Sequence, residues 1–201
     1  GPTYDGMFHS PAVPEADEAV TVSIAASDAQ GIQEMLLYYS VEGGDFLSAP
    51  MQLGDAGTYE GVIPGQSQSK LVQFSVQGTD SLGEETMFPP AGPESRALYR
   101  VQDGEAMDDQ RHNLRILMTE PDADFLHETT NVMSNNRIGA TVIYRESEIF
   151  YDVGVRLKGS QRGRDKVVRA GFNIGFDPAQ PFRGVHKTIG VDRSGSGDEY
   201  S

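Results

Sequence analysis

The sequence predicts a mainly β protein with two domains: a β-sandwich over residues 8–102 and a partial α+β domain over residues 113–201. Residues 103–112 are predicted to form an acidic linker between them. Short runs of β-favouring residues recur at nearly regular intervals in the first hundred positions, separated by clusters of Gly, Asp, Ser and Pro. Longer apolar runs follow the linker, and one intervening segment changes from the period of a strand to that of a helix.

Five strands are predicted in the sandwich, each bounded by residues that favour tight turns. They cover residues 19–25, 33–40, 58–63, 70–77 and 96–101. In the fourth run, Val72, Phe74 and Val76 occupy alternate positions and are predicted to face the core. The positions between and beside them are predicted to face water: Leu71, Gln73, Ser75 and Gln77.

Several turns of this domain resemble those of immunoglobulin-like or fibronectin-type modules found in secreted bacterial proteins. The resemblance rests on the turn at residues 27–32, the strand at 37–41, and the turns at 63–65 and 78–83. It implies a fold and no function. Two interpretations of Tyr38, Tyr39 and Tyr59 remain open: half-buried strand residues, or a platform on which a sugar stacks.

The predicted linker is polar, acidic and without periodicity. Its carboxylates could hold Ca²⁺, but their spacing does not match a calcium-binding loop with oxygen ligands at alternate positions, a central Gly and a closing Glu. A solvated connection between domains is therefore the preferred interpretation.

The second domain is predicted to combine an antiparallel sheet with one short helix. A strand at residues 113–119 precedes the helix, whose first turn contains Pro121 together with Asp122 and Asp124, residues that suit a helix start. Two long strands joined by about four polar residues then predict a hairpin. The predicted strands after the helix cover residues 138–144, 149–158, 171–177 and 187–192.

The second strand of that hairpin ends in a cluster of cations. Alternation places Arg156 and Lys158 on the same face with Leu157 opposite, and Arg162 follows after the turn glycine Gly159. Two adjacent cations repel each other unless an anion lies between them, so the pattern indicates an anion-binding site. The alternative is that these cations only balance nearby acids on the protein surface.

Glycines and aromatic residues surround this cluster. Gly154, Gly171 and Gly175 lie inside predicted strands, which indicates bulges or a close approach of another group to the backbone. The neighbouring aromatic residues are predicted to be core residues: Phe172, Phe176 and Phe182.

Composition narrows the classes of function. The 201 residues carry 30 acidic and 16 basic side chains, a net charge of −14, which argues against general nucleic-acid binding and against docking to anionic lipid. No apolar run of about 18 residues is present, so no membrane insertion is expected. The absence of cysteine excludes disulfides and thiolate metal sites. The four histidines are far apart in sequence and predict no metal site.

Three motifs of the second domain resemble the opening half of the CotH family of spore-coat and surface-associated proteins, which have an atypical protein-kinase fold. The motifs are residues 151–160, 171–177 and 181–192, in that order and spacing. The resemblance covers about residues 114–192. It implies that the whole protein binds ATP together with Mg²⁺, and neither is expected to be tightly bound to these 201 residues alone. It also implies that phosphate is contacted by the basic turn and the residue before the next strand: Arg156, Lys158, Arg162 and Arg169.

The same resemblance implies a secreted or cell-surface bacterial protein that transfers phosphate to a protein substrate or partner. Catalytic carboxylates and metal ligands would follow residue 201, so these 201 residues are expected to be inactive by themselves. A function of another class remains open: a non-catalytic surface or adhesion scaffold that binds a protein or glycan.

Overall fold

The computed structural model describes residues 1–105, 113–159 and 171–192, and within them the protein is mainly β, as predicted. One α-helix, α1, spans Glu120–His127, and two single 3-10 turns lie at Asp55–Gly57 and Gly92–Glu94. The strands are Thr3–Ser10 (β1), Val20–Ser27 (β2), Ile32–Val41 (β3), Leu47–Pro50 (β4), Gln52–Leu53 (β5), Thr58–Ile63 (β6), Leu71–Asp80 (β7), Glu85–Phe88 (β8), Leu98–Arg100 (β9), Leu114–Leu117 (β10), Ile138–Tyr144 (β11), Glu148–Lys158 (β12), Gly171–Gly175 (β13) and Thr188–Val191 (β14). No helix of the described residues is long and apolar enough to cross a membrane.

The chain divides into two compact units, and each unit contains two separate segments of the sequence. The first unit contains Gly1–Leu117 and Thr141–Tyr151, and the second contains Met118–Ala140 and Asp152–Ser201. The sequence prediction separated the domains at residues 103–112, whereas here the residues of β10 and most of β11 belong with the sandwich. Most of the predicted linker, residues 106–112, lies outside the described residues.

Two antiparallel sheets form the sandwich of the first unit. Their strand orders are β1-β2-β6-β5 and β4-β3-β7-β8, and β9 is the fifth strand of the second sheet, where it also pairs with β7. Inward side chains of both sheets share one hydrophobic core, in which Val22, Ile24, Leu37 and Phe74 are fully buried. A core built from alternate residues of two facing sheets is the arrangement that the strand pattern predicts.

The central strand β7 is buried on both faces, which corrects part of the sequence prediction. Val72 and its alternate neighbours face the core as expected, but Ser75 is fully buried and Leu71 is only 9% exposed. Leu71 packs with Leu98, Leu117 and Ile143. Since Leu117 and Ile143 come from β10 and β11, the outer face of β7 is covered by residues that follow it in sequence by about 40 positions or more.

A close backbone contact in the sandwich involves Gly65. A Cβ atom at this position would lie 2.1 Å from the carbonyl oxygen of Asp17 and 2.3 Å from its carbonyl carbon. The atoms that this Cβ would meet belong to the Asp17 backbone, so no side-chain rotation can relieve the clash. The Asp17 amide also donates a hydrogen bond of 2.8 Å to the Gln66 carbonyl, which holds the two segments together.

Gly65→Ala is therefore expected to reduce the free energy of unfolding by about 2 kcal/mol, the usual cost of forcing an extra methyl into a packed contact. Urea unfolding followed by circular dichroism measures the change. Gly54→Ala is the matched control, because its new Cβ would lie at an ordinary 3.5 Å from the Thr58 carbonyl oxygen. Equal unfolding midpoints for the two variants would contradict this account.

The third sheet has the strand order β10-β11-β12-β13-β14. In the first unit β10 pairs with β11 antiparallel, and in the second unit β12, β13 and β14 pair antiparallel in sequence order. Helix α1 begins at Glu120, as predicted, and Pro121 lies in its first turn. Thr119, which was predicted to end the preceding strand, instead caps the helix through a hydrogen bond from the Asp122 amide.

One face of β12 and β13 in the second unit packs on the core beside α1. Leu126 of the helix and Leu157 of β12 are buried in one apolar cluster with Val132 and Ile138, and Phe172 packs against it. Because side chains alternate along a strand, the neighbours of Leu157 and Phe172 must lie on the opposite face. That opposite face carries the candidate site.

Candidate anion-binding face

Strand β12 presents Arg156 and Lys158 on one face, as its alternation predicts. Val155 and Leu157 are buried on the core side, whereas Arg156 and Lys158 are both partly exposed. Arg156 pairs across the sheet with Asn173 of β13, which in turn pairs with Gly190 of β14. Arg156 and Asn173 therefore lie side by side in one row of the sheet.

Each of the two cations has one internal polar partner. Arg156 Nη1 donates a hydrogen bond of 2.9 Å to Asn135 Oδ1, and Lys158 Nζ lies 2.8 Å from Asp192 Oδ1. The Asp192 side chain is 78% exposed, and an ion pair of this kind stabilises a fold by only about 0–1 kcal/mol. A stronger anion can therefore displace Asp192 at little cost.

A third cation, Arg137, lies across two glycines of the same face. Gly154 and Gly175 are directly paired between β12 and β13. A Cβ at Gly175 would lie 1.6 Å from Arg137 Nη1, and one at Gly154 would lie 2.8 Å from Arg137 Cδ. The arginine side chain thus rests on bare backbone, and any larger residue at Gly175 would displace its guanidinium group. The close approach indicated by glycines inside strands is found here.

Lys158 makes a similar approach at the other end of the face. Its direct partner on β13 is Gly171, but its side chain extends over β14, where a Cβ at Gly190 would lie 3.1 Å from Lys158 Nζ. The same hypothetical Cβ would lie 3.4 Å from Asn173 Oδ1. Glycine at position 190 therefore leaves room for the ammonium group beside the Asn173 amide.

We name this surface the cationic face, and it consists of Arg137, Gly154, Arg156, Lys158, Gly171, Asn173, Gly175 and Gly190. Among the described residues it carries three positive charges and one paired carboxylate, that of Asp192. Guanidinium groups bind phosphate oxygens in pairs, whereas an ammonium group acts as a point charge. The chemistry of the cationic face is therefore that of a phosphate-binding surface, in a chain whose net charge is −14.

Sequence reasoning did not select Arg137 as a site residue. Arg137 immediately precedes β11, in a polar stretch with no motif of its own. The sequence indicated this contact only indirectly: Gly154 and Gly175 lie inside strands, which predicts that another group approaches the backbone there. Which group approaches is decided only by the folded chain.

The remaining predicted residues of this region are two arginines, a turn glycine and two aromatic core residues. Arg162 and Arg169 lie outside the described residues. Gly159 ends β12 with a φ of +108°, a backbone conformation that favours glycine, as expected of a turn. Phe176 and Phe182 are buried and stack with ring centroids 5.3 Å apart, which confirms their prediction as core residues.

The described residues contain no group of three or more His, Asp or Glu side chains that could hold a metal ion.

The three tyrosines considered as a sugar platform do not share one surface of the sandwich. Tyr39 is 8% exposed and belongs to the hydrophobic core, and Tyr59 packs against that core. Tyr38, the next residue along β3, alternates to the outer face.

A buried polar pair lies in the first unit and was not predicted. His9 is 2% exposed, its Nδ1 lies 2.6 Å from the Tyr151 hydroxyl, and its Nε2 lies 3.0 Å from the Ala12 carbonyl. A carbonyl only accepts, so Nε2 carries the proton and the tyrosine hydroxyl donates to Nδ1. Burial lowers the pKa of His9 to about 4, against the opposing effect of the bond to Ala12. Burial also raises the pKa of Tyr151 above its usual range.

Comparison with known proteins identifies no family. No protein-family model matches the chain, and no curated protein matches it. Among solved structures, a bromine derivative of BhCBM56 is 20% identical over 34% of this chain and 71% of its own, with a TM-score of 0.28. An uncharacterized protein of Listeria monocytogenes EGD-e, solved in complex with glucose, magnesium and calcium, is 8% identical with a TM-score of 0.36. That match covers 93% of this chain but only 17% of the Listeria chain. Likenesses at this level indicate no function for the present chain.

Proposed function

We propose that the cationic face binds the phosphates of a nucleotide, with Arg156 and Lys158 as contacting residues. We further propose that the chain is part of a secreted or cell-surface bacterial CotH-like protein that transfers phosphate from ATP to a protein. The observation that carries the proposal is the position of Arg156 and Lys158 on one glycine-rich face, beside the neutral amide of Asn173. The resemblance of the three motifs to the CotH family supplies the identity of the anion.

Arg156 and Lys158 would act by electrostatic stabilisation and positioning. The guanidinium group of Arg156 can present two N–H donors to one phosphate, while its bond to Asn135 fixes its direction. Lys158 would exchange its exposed partner Asp192 for a phosphate oxygen. Both interactions would orient the phosphates of ATP, which is the main task of the protein in phosphoryl transfer.

Mg²⁺ is implied by the resemblance, but the described residues do not supply a site for it. They contain no cluster of three or more acidic or histidine side chains. A metal ion held by a protein and a nucleotide requires at least one or two carboxylates beside the phosphates. We therefore assign no step to Mg²⁺ in this part of the chain.

The proposal predicts that this 201-residue chain binds ATP and that Arg156→Ala and Lys158→Ala each weaken binding about tenfold or more. A charge-assisted hydrogen bond contributes about 1.5–3 kcal/mol, which corresponds to that factor. Titration calorimetry measures the dissociation constants. Lys187→Ala is the matched control, because Lys187 is exposed and alternates away from Thr188 and Gly190 on β14. Failure of the wild-type chain to bind millimolar ATP would overturn the proposal.

A non-catalytic scaffold that binds a protein or glycan is the second candidate. The internal partners of the two cations favour it, because Arg156 bonded to Asn135 and Lys158 paired with Asp192 could serve the fold alone. In that case Arg156→Ala and Lys158→Ala would lower the unfolding midpoint without changing any affinity for ATP. The same two variants therefore separate the candidates when binding and stability are both measured.

A further inference from the structure

Arg137 differs from the other two cations in how it is held. Its aliphatic part passes over Gly154 and its guanidinium group lies over Gly175, so two backbone segments without side chains fix its position. Arginine carries about 2 kcal/mol of side-chain conformational entropy, and packing of this kind removes part of it before any ligand arrives. The guanidinium group is pre-positioned although the residue is exposed.

No acid among the described residues pairs with Arg137. Within the described part of the chain its side chain makes no ion pair, whereas Arg115 in the first unit is paired with both Asp103 and Glu146. Arg115 has a structural role, and two carboxylates balance its charge. An arginine packed on glycines and left without a carboxylate has the arrangement of a binding residue.

The three cations occupy successive positions along the cationic face. Arg137 covers the row of Gly154 and Gly175, Arg156 lies in the next row with Asn173, and the Lys158 ammonium lies over Gly190. Gly175 and Gly190 lie on adjacent strands and are offset by two residues along the strand direction. Strand geometry places them roughly 8 Å apart. A single phosphate can bridge two neighbouring cations, but only a chain of phosphates meets all three charges.

We propose that Arg137 is a third phosphate-contacting residue, and that the cationic face prefers anions with two or more linked phosphates over a single phosphate. This inference rests on the phosphate chemistry of the proposed function but not on the nucleoside or on phosphoryl transfer. The net charge of −14 repels polyanions from the chain as a whole, so a preference for them would have to arise from these local cations.

Calorimetric titration of the 201-residue chain with orthophosphate, pyrophosphate and tripolyphosphate at one ionic strength tests the preference. We expect the two longer anions to bind at least tenfold more tightly than orthophosphate. Arg137→Ala is expected to remove most of that preference, about tenfold in the affinity for tripolyphosphate, and to change the affinity for orthophosphate less than threefold. Equal affinities of the wild-type chain for all three anions would overturn the inference.

Gly175→Ala provides a test that keeps every charge. Its Cβ would occupy the position of the Arg137 guanidinium and push that group off the sheet, so it should reproduce the loss caused by Arg137→Ala. Lys187→Ala should leave all three affinities unchanged. Circular dichroism spectra and unfolding midpoints confirm that each variant is folded. Wild-type tripolyphosphate affinity in a folded Gly175→Ala or Arg137→Ala chain would exclude the proposed contact.

An ATP titration of the same variants separates this inference from the nucleotide proposal. If tripolyphosphate binds in an Arg137-dependent way but ATP does not bind, the third contact stands and the nucleotide assignment falls. If ATP binds equally well to wild-type and Arg137→Ala chains, the nucleotide assignment stands and the contact falls. Absence of binding to every one of these anions would overturn both.

Discussion

Acidification from pH 7 to pH 4 is expected to reduce the free energy of unfolding of the first unit by about 3 kcal/mol through His9 alone. The folded pKa of His9 is about 4 and its usual value is 6.5. Between these values the unfolded chain binds a proton that the folded chain does not, so stability falls as the pH falls through 6.5 and the loss is complete below about 4. Each pKa unit corresponds to about 1.4 kcal/mol.

Comparison with His9→Gln isolates this effect from the acids that titrate in the same range. Urea unfolding of both chains at pH 7, 5.5 and 4, followed by circular dichroism, gives the difference in stability at each pH. The glutamine variant is less stable at neutral pH, because the bonds to Tyr151 and Ala12 are lost or distorted. It should lose about 3 kcal/mol less on acidification, so the two curves converge. Parallel curves would show that His9 titrates normally in the folded protein.

Nuclear magnetic resonance provides a direct measurement of the same group. The imidazole signal that disappears in His9→Gln should remain that of a neutral ring down to about pH 4. Tyr151→Phe removes the hydroxyl that donates to His9 Nδ1 and should raise the pKa of His9, because a neutral-form hydrogen bond is lost. An unchanged titration in Tyr151→Phe would contradict the assigned tautomer.

Thr141→Val is expected to reduce the free energy of unfolding by about 3 kcal/mol although it changes the side-chain volume little. Thr141 is fully buried, and its hydroxyl accepts a hydrogen bond of 2.9 Å from the Leu98 amide and donates to the Arg96 carbonyl. Valine would leave the buried Leu98 amide and the part-buried Arg96 carbonyl without these partners, at about 1–3 kcal/mol for a fully buried group. Urea unfolding followed by circular dichroism measures the loss.

Thr141→Ser is the control because it keeps the hydroxyl and removes one methyl group. It should cost about 1 kcal/mol, the value for one buried methyl group. The expected order of stability is then wild type, serine, valine, whereas hydrophobicity alone would place valine first. A valine variant more stable than the serine variant would show that the hydroxyl does not hold β9.

Strand pattern and turn chemistry allowed much of the sandwich to be predicted. The predicted strands at residues 58–63 and 138–144 coincide with β6 and β11, since both contain residues that favour strands and have buried positions. The strands β1, β4, β5 and β8 were missed. The last three are short, have two to four residues and no fully buried position, so neither length nor alternation distinguishes them from loops. Strand β1 has eight residues, but a register shift between Asp5 and Phe8 interrupts its pairing, and its first four residues include no buried side chain.

The sequence by itself determined the mainly β class, the helix start around Pro121, and the common face of Arg156 and Lys158, because strand period and the chemistry of a first helical turn act over a few residues. Only the tertiary structure decided that residues of β10 and β11 complete the sandwich and that Arg137 lies on Gly154 and Gly175. The longest of those contacts joins segments about 70 positions apart. They depend on burial of apolar area and on the space that a missing side chain leaves, and neither quantity is encoded in a local pattern.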